Sequence, residues 1–237
     1  MTQPFKEWKV LPHSKLWEVD DNILTVVGQL PMPFTELPRR MTVVRLAGAR
    51  LLIYSAIALD EDEMKSLEEY GEPTFLVVPS DRHRLDASIW MQRYPNMRVV
   101  APAGSLDKVE ETVGVDTSTP DFADPNVQFT TVRGTHEREA ALTVRSTRGT
   151  TLVVNDMVGN IQDESGFRGW VLRVTGFAGD EPQVPRVAKM GVNTDELRGQ
   201  MLEWAAIESL VCILVSHGDP ITDDPRAVLR KLADSLS

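Results

Sequence analysis

The stretch Thr74-Phe75-Leu76-Val77-Val78-Pro79-Ser80-Asp81-Arg82-His83-Arg84-Leu85-Asp86 decides how this chain is read. Residues 74–78 form an unbroken run of strand-forming side chains, the mark of a strand covered on both faces. Pro79 closes the run, and a polar segment follows with a single imidazole at His83. A helical pattern then occupies about residues 87–94 and stops at Pro95. A buried strand that empties into polar side chains ahead of a helix is how α/β proteins place functional groups at a sheet edge.

The same alternation extends outward. Residues 23–28, 42–46 and 50–54 read as strands. Asp60 followed by Glu63 reads as a helix cap, with Met64 and Leu67 on one face until Gly71. A strand at 97–101 precedes a helix from about Ser105 that stops by Gly114. After an irregular stretch at 117–125, strands at 127–132, 140–146 and 150–154 suggest an antiparallel meander. A long loop is expected over 159–193, where a substrate pocket would be shaped. Asn193 with Glu196 caps a helix whose inner face is Leu197, Met201, Trp204 and Ala205. A strand at 210–215 follows, and Asp224-Pro225 opens a last helix with Val228, Leu229 and Leu232 inward. The order β-rich, α/β, β-rich, α/β predicts two similar halves, about 1–115 and 116–237. Their sheets would face each other with helices outside, in one domain spanning 1–237.

Composition narrows the functions. The chain has 237 residues, 42% hydrophobic and 25% charged, which excludes wholesale disorder. Its formal net charge is −10. That opposes nucleic-acid binding through a basic field and attraction to an anionic membrane; the partner expected is a small-molecule substrate. The lone Cys212 permits neither an internal disulfide nor a cysteine-rich zinc motif, and reads as a small buried hydrophobe. No apolar run approaches the roughly 18 residues of a membrane span. The opening MTQPFKEWKV lacks the apolar core of a secretory signal, so a cytoplasmic location is expected. Phosphate-loop, Gly-x-Gly-x-x-Gly and Gly-x-Ser-x-Gly patterns are absent from the sequence.

What remains is four histidines and the carboxylates near them. His83, His136 and His217 each follow a strand pattern, and Asp156 follows the strand at 150–154. Taken together, these segments resemble the metallo-β-lactamase fold. That family opens its metal site with His-x-His-x-Asp-His after a buried strand. It adds a third His, a metal-bridging Asp and a last His near the C-terminus. The matching positions here are Asp81 through Asp86, then His136, Asp156 and His217. An uncharacterised bacterial and plant subgroup is similar in detail, through Val78-Pro79-Ser80-Asp81-Arg82-His83, Trp90 to Tyr94-Pro95, Asp156-Met157-Val158-Gly159-Asn160 and His217-Gly218-Asp219-Pro220.

The resemblance implies an α/β (α+β) four-layer αβ/βα sandwich. It also implies a metal site drawn from Asp81, His83, Asp86, His136, Asp156 and His217. The first motif is degenerate, because Asp81, Leu85 and Asp86 stand where the family has His, Asp and His. One ion position keeps Asp81, His83, His136 and Asp156. The other keeps Asp86, Asp156 and His217 without the Asp replaced by Leu85. One divalent ion is therefore expected, Zn, Fe or Mn, held by His83, His136 and Asp156 with Asp81 and His217 completing or flanking the site. Asp81 or Asp156 would serve as general base to the attacking water of a hydrolase. A metal-free member that binds a ligand or partner in the same cleft, with no cofactor, and a mononuclear iron oxidase or dioxygenase are the alternatives.

Each residue also has a structural reading. Asp86 would cap the helix at Ala87, with Leu85 and Trp90 as a hydrophobic staple. Asp81 would form an Asx-turn or pair with Arg82 or Arg84. His136 would be a loop histidine, His217 would bond a turn backbone, and Asp156 would fix a loop. Arg82 and Arg84 would hold an anionic substrate or form salt bridges. His13 carries no assigned role.

Overall fold

The computed structural model describes residues 3–31, 36–162, 179–189 and 191–236. β1 (Trp17–Asp20), β2 (Ile23–Pro31), β3 (Glu36–Leu46), β4 (Arg50–Tyr54), β5 (Glu72–Val77) and β6 (Arg98–Val100) lie side by side in chain order in one sheet. β1 to β4 pair antiparallel, and β4, β5 and β6 pair parallel. The second sheet has the order β10 (Leu210–Gly218), β9 (Gly149–Asn160), β8 (Ala140–Ser146), β7 (Val127–Thr131). β7, β8 and β9 form the expected antiparallel meander, and β10 joins β9 parallel.

Side-chain alternation along each strand builds the layers. In β4 and β5, Leu52, Tyr54, Phe75 and Val77 face the second sheet, and Val153, Cys212 and Leu214 meet them there. The alternate residues Leu51, Ile53 and Leu76 point the other way, onto α1 (Glu61–Tyr70) and α2 (Ala87–Arg93), through Met64, Leu67 and Trp90. In the second sheet, Leu152, Val154, Ile213 and Val215 pack on α5 (Thr194–Ala205) and α6 (Pro225–Asp234) through Leu197, Met201, Trp204, Leu229 and Leu232. The result is a four-layer αβ/βα sandwich with three apolar layers. The parallel strands explain the unalternating sequence runs, since both of their faces are covered.

The helix starts follow their caps. Asp60, Asn193 and Asp224 accept from the backbone N–H three residues on, in Glu63, Glu196 and Ala227. The helix expected from Ser105 is shorter, α3 (Leu106–Glu110). The loop expected over 159–193 is partly ordered: β9 runs to Asn160, and α4 (Arg186–Lys189) precedes α5. Residues 163–178 and 190 of that loop lie outside the described residues. No helix among the described residues is long and apolar enough to cross a membrane.

Asp86 corrects one expectation. It stands at the start of α2, but its side chain makes no cap bond. The carboxylate turns inward, accepts the Ala58 N–H at 3.0 Å and pairs with the Arg39 guanidinium from β3. Both side chains are almost wholly buried. The pair ties the antiparallel part of the first sheet to the loop ahead of α2. It leaves α2 without a side-chain cap, and among the described residues Asp86 is not in the candidate donor group.

Asp86→Ala should therefore lower unfolding stability by about 3–5 kcal/mol, because it strands a buried guanidinium. Replacing both partners with apolar side chains, Arg39→Met with Asp86→Leu, should restore most of that loss. Urea unfolding of the three proteins reads this out. A loss below about 1 kcal/mol for Asp86→Ala would contradict the assignment.

Candidate metal centre

Three elements deliver one cluster. After β5, Ser80 turns the chain: its carbonyl accepts the His83 N–H at 3.2 Å and its Oγ accepts the Arg82 N–H at 3.3 Å. Ser80 thus makes the turn that was expected of Asp81, and it presents His83 toward the second sheet. β10 supplies His217, and β9 supplies Asp156.

Asp156 reaches the others through an irregularity in β9. Val154 pairs with Val215, and the next pair is Gly159 with His217. Asn155 through Val158 therefore stand opposite the single residue Ser216, which makes a long bulge. Asn155 pins it. Its Nδ2 donates to Ser80 Oγ and to Glu139 Oε2, both at 3.0 Å, and its Oδ1 accepts from Ser216 Oγ at 2.7 Å. All four side chains are buried, so no water competes for these bonds.

The outcome is two imidazoles on one oxygen. His83 Nε2 lies 3.1 Å and His217 Nε2 lies 3.0 Å from Asp156 Oδ1. The far nitrogens are held as well, His83 Nδ1 by Ser55 Oγ at 2.8 Å and His217 Nδ1 by the Pro38 carbonyl at 2.6 Å. Ser55 sits in the left-handed region, at φ 57°, a strained conformation typical of residues held for a task. Burial raises the Asp156 carboxyl, but the His83 charge and the bonds to both rings outweigh it and hold it well below the usual carboxylate range. On its outer side Asp156 Oδ2 faces Arg82 at 3.7 Å. A cavity of about 240 Å³ adjoins the His217 side, lined by Gln29, Pro38, Asn160, Gly218 and Asp219 among others.

This donor set fits a cation. A carbonyl only accepts, so the proton of His217 sits on Nδ1. His217 Nε2 then faces a carboxylate oxygen, an acceptor, at 3.0 Å. A proton or a cation must lie between them. Imidazoles whose far N–H is tied to a backbone carbonyl are typical metal ligands. Two donors each about 2.1 Å from one ion stand about 3.0–3.4 Å apart at angles from 90° to tetrahedral. The observed spacings agree. Among the described residues His83, Asp156 and His217 form a group whose donor atoms lie within 4.8 Å of one another, able to hold a metal ion.

His136 is not brought to this group. Left-handed backbone at His136 and Glu137 turns the loop so that Glu137 O accepts the Gly104 N–H at 2.8 Å. The His136 ring is left exposed on a groove with Gly134, Asn193 and Glu196. The trio expected to share an ion, His83, His136 and Asp156, is therefore not the one that meets; His217 stands where His136 was expected. Asp81 is half-buried on the Ser80 turn and outside the cluster. Asp86 is committed to Arg39. Sequence reasoning missed Ser55, Asn155 and Glu139. Only Glu139 left a trace, as an acidic residue immediately before the apolar start of β8. Burial first, and then the Asp156 charge, pushes its carboxyl well above the usual range.

No protein-family model and no curated protein matches this chain. Solved structures do. The DIM-1 metallo-β-lactamase superposes with a TM-score of 0.64 at 13% identity, over 95% of this chain and 100% of that one. The metallo-β-lactamase FIM-1 from Pseudomonas aeruginosa, in its mono-zinc form, gives 0.63 at 11% identity, over 96% and 97%. A metallo-β-lactamase from Erythrobacter litoralis, with β-mercaptoethanol in its active site, gives 0.63 at 13%, over 93% and 96%. The chain has the metallo-β-lactamase fold.

The raised carboxyl of Glu139 makes stability pH-dependent. The folded chain keeps a proton there that the unfolded chain releases above its ordinary value of 4.5. Stability from this group is complete below that value and falls as pH rises toward the folded one. Glu139→Gln keeps an acceptor for Asn155 and has no proton to lose. Urea midpoints between about pH 5 and about pH 8 should show the variant gaining on the parent as pH rises. Parallel curves would refute the assignment.

Proposed function

We propose that the protein is a metal-dependent hydrolase acting on a small molecule, with one divalent ion held by His83, Asp156 and His217. The observation that carries this reading is the pair of imidazole nitrogens converging on Asp156 Oδ1 with their far nitrogens already bonded. Two histidines and one carboxylate leave an open position, as catalytic zinc sites do. A divalent ion at such a site polarises a carbonyl or phosphoryl oxygen and acidifies water toward neutral pH.

The chain's own groups have defined tasks in this reading. Ser55 and Pro38 fix the ring orientations, and Asn155 fixes the carboxylate. Asp81, two residues before His83 and half-buried, is the proposed general base that takes the proton of the attacking water. Asp156 serves as ligand. Zinc, iron and manganese all suit imidazole with carboxylate. The same three donors also match the two-histidine, one-carboxylate set of non-haem iron oxygenases. Oxygen uptake by the iron-loaded protein separates that second reading from hydrolysis.

Elemental analysis of purified, metal-supplemented protein should find about one divalent ion per chain. His83→Ala and His217→Ala should each lose it, and His136→Ala should retain it. A wild-type protein that binds no metal, or a His136→Ala variant that loses it while His217→Ala does not, would overturn the ligand set.

A further inference from the structure

The paired arginines flanking His83 have separate fates in the structure. Arg84 is spent internally, on Lys108 O, on Glu111 at 3.0 Å and on Thr112 at 3.3 Å. Among the described residues, Arg39 and Arg40 from β3 are spent too. Arg39 is bonded to Asp86, while Arg40 donates to Val215 O at 2.9 Å and Gly218 O at 2.7 Å. Arg82 differs. Its backbone is fixed by Ser80 Oγ, but its side chain is 57% exposed, and its ion-pair partner, Asp156 Oδ2, is 3.7 Å away, beyond hydrogen-bond reach. A guanidinium has five N–H donors in a planar fork matched to carboxylate and phosphate. This fork stands at the edge of the candidate metal centre, in an ion pair with Asp156 but with no side-chain hydrogen bond among the described residues.

We infer that Arg82 is the anchor for an anionic substrate, a small molecule bearing a carboxylate or a phosphate. Asp156 and Glu139 lie close enough to feel or exert charge here, and Asp81 shares the turn. Asp156 Oδ1 is engaged by two imidazoles and both Asp156 and Glu139 are buried, which lessens the repulsion that an incoming anion meets. Arg82 is thus an exposed cationic contact beside this centre, on a protein of net charge −10. That contrast selects where an anion settles. The inference rests on the hydrolase reading only for what becomes of the anion once bound.

The test uses two probes, inorganic phosphate and succinate. Each is titrated by calorimetry at constant ionic strength into metal-supplemented wild type, Arg82→Ala, Arg82→Lys and Arg84→Ala, with metal content measured on the same samples. Arg82→Ala should weaken the preferred probe about 10- to 100-fold, the worth of charge-assisted hydrogen bonds. Arg82→Lys should fall between, Arg84→Ala should match wild type, and metal content should not change. The probe that wild type binds more tightly identifies the oxyanion class. Wild type that binds neither probe, or Arg82→Ala that binds as wild type does, overturns the inference. So does loss of metal in Arg82→Ala, which would make Arg82 a support for Asp156. Anion binding that depends on Arg82 in a wild-type protein without metal would leave this inference standing and remove the hydrolase reading.

Discussion

Everything at the centre depends on one carboxylate oxygen, Asp156 Oδ1, being shared by two histidines from different segments. A regular β9 could not present it there. Alternation along a strand sends Val153 between the sheets and Val154 toward the helices, and regular pairing would carry that pattern onward. The bulge opposite Ser216 breaks the alternation and frees Asp156 from the ladder. Asn155 stops the freed segment from wandering, because it is bonded to the loop after β5, to the residue before β8 and to β10 at once. The chemistry of Asp156 is thus prepared by its neighbour, which touches no proposed reactant.

The same region buries three carboxylates, and each solves the cost of burial differently. An isolated buried charge is expensive, so it must be paired, bonded or neutralised. Asp86 is paired with Arg39 and bonded to the Ala58 N–H. Asp156 is stabilised by two imidazoles that offset its desolvation. Among the described residues Glu139 has no cation in hydrogen-bond contact, and burial with the Asp156 charge pushes its carboxyl well above the usual range instead. The solutions are linked, since the Asp156 charge is one of the causes that keep Glu139 protonated. A cation between the imidazoles and Asp156 would act on the same balance.

Much of the fold was legible because periodicity survives burial. The run at 74–78, the caps at Asp60, Asn193 and Asp224, and the meander at 127–154 all reappear with small changes at their ends. The site was legible in part. His83, Asp156 and His217 could be named because each follows an apolar strand. The other candidates are placed away from this group for physical reasons that lie outside local sequence. His136 is turned out by two left-handed residues, and such backbone geometry has no signature in a Thr-His-Glu segment. Asp86 is claimed by Arg39, 47 positions away. Ser55 and Asn155 are ordinary residues whose importance comes from tertiary hydrogen bonds alone.

The segment from Asp81 to Asp86 has a physical logic of its own. Leu85 is buried and has no donor atom, and Asp86 spends its oxygens on a guanidinium and a backbone N–H. Asp81 stays outside the cluster. Any ion drawing on this segment would need one of these side chains. Recruiting Asp86 would break a buried ion pair and strand Arg39, at a cost comparable to a large share of a domain's stability. Recruiting Leu85 is chemically impossible. The retained donors sit on elements that the sandwich must build anyway: the end of β5, the bulge of β9 and the end of β10. The fold therefore keeps this candidate donor group together on structural grounds, while Leu85 and Asp86 are absorbed into its packing.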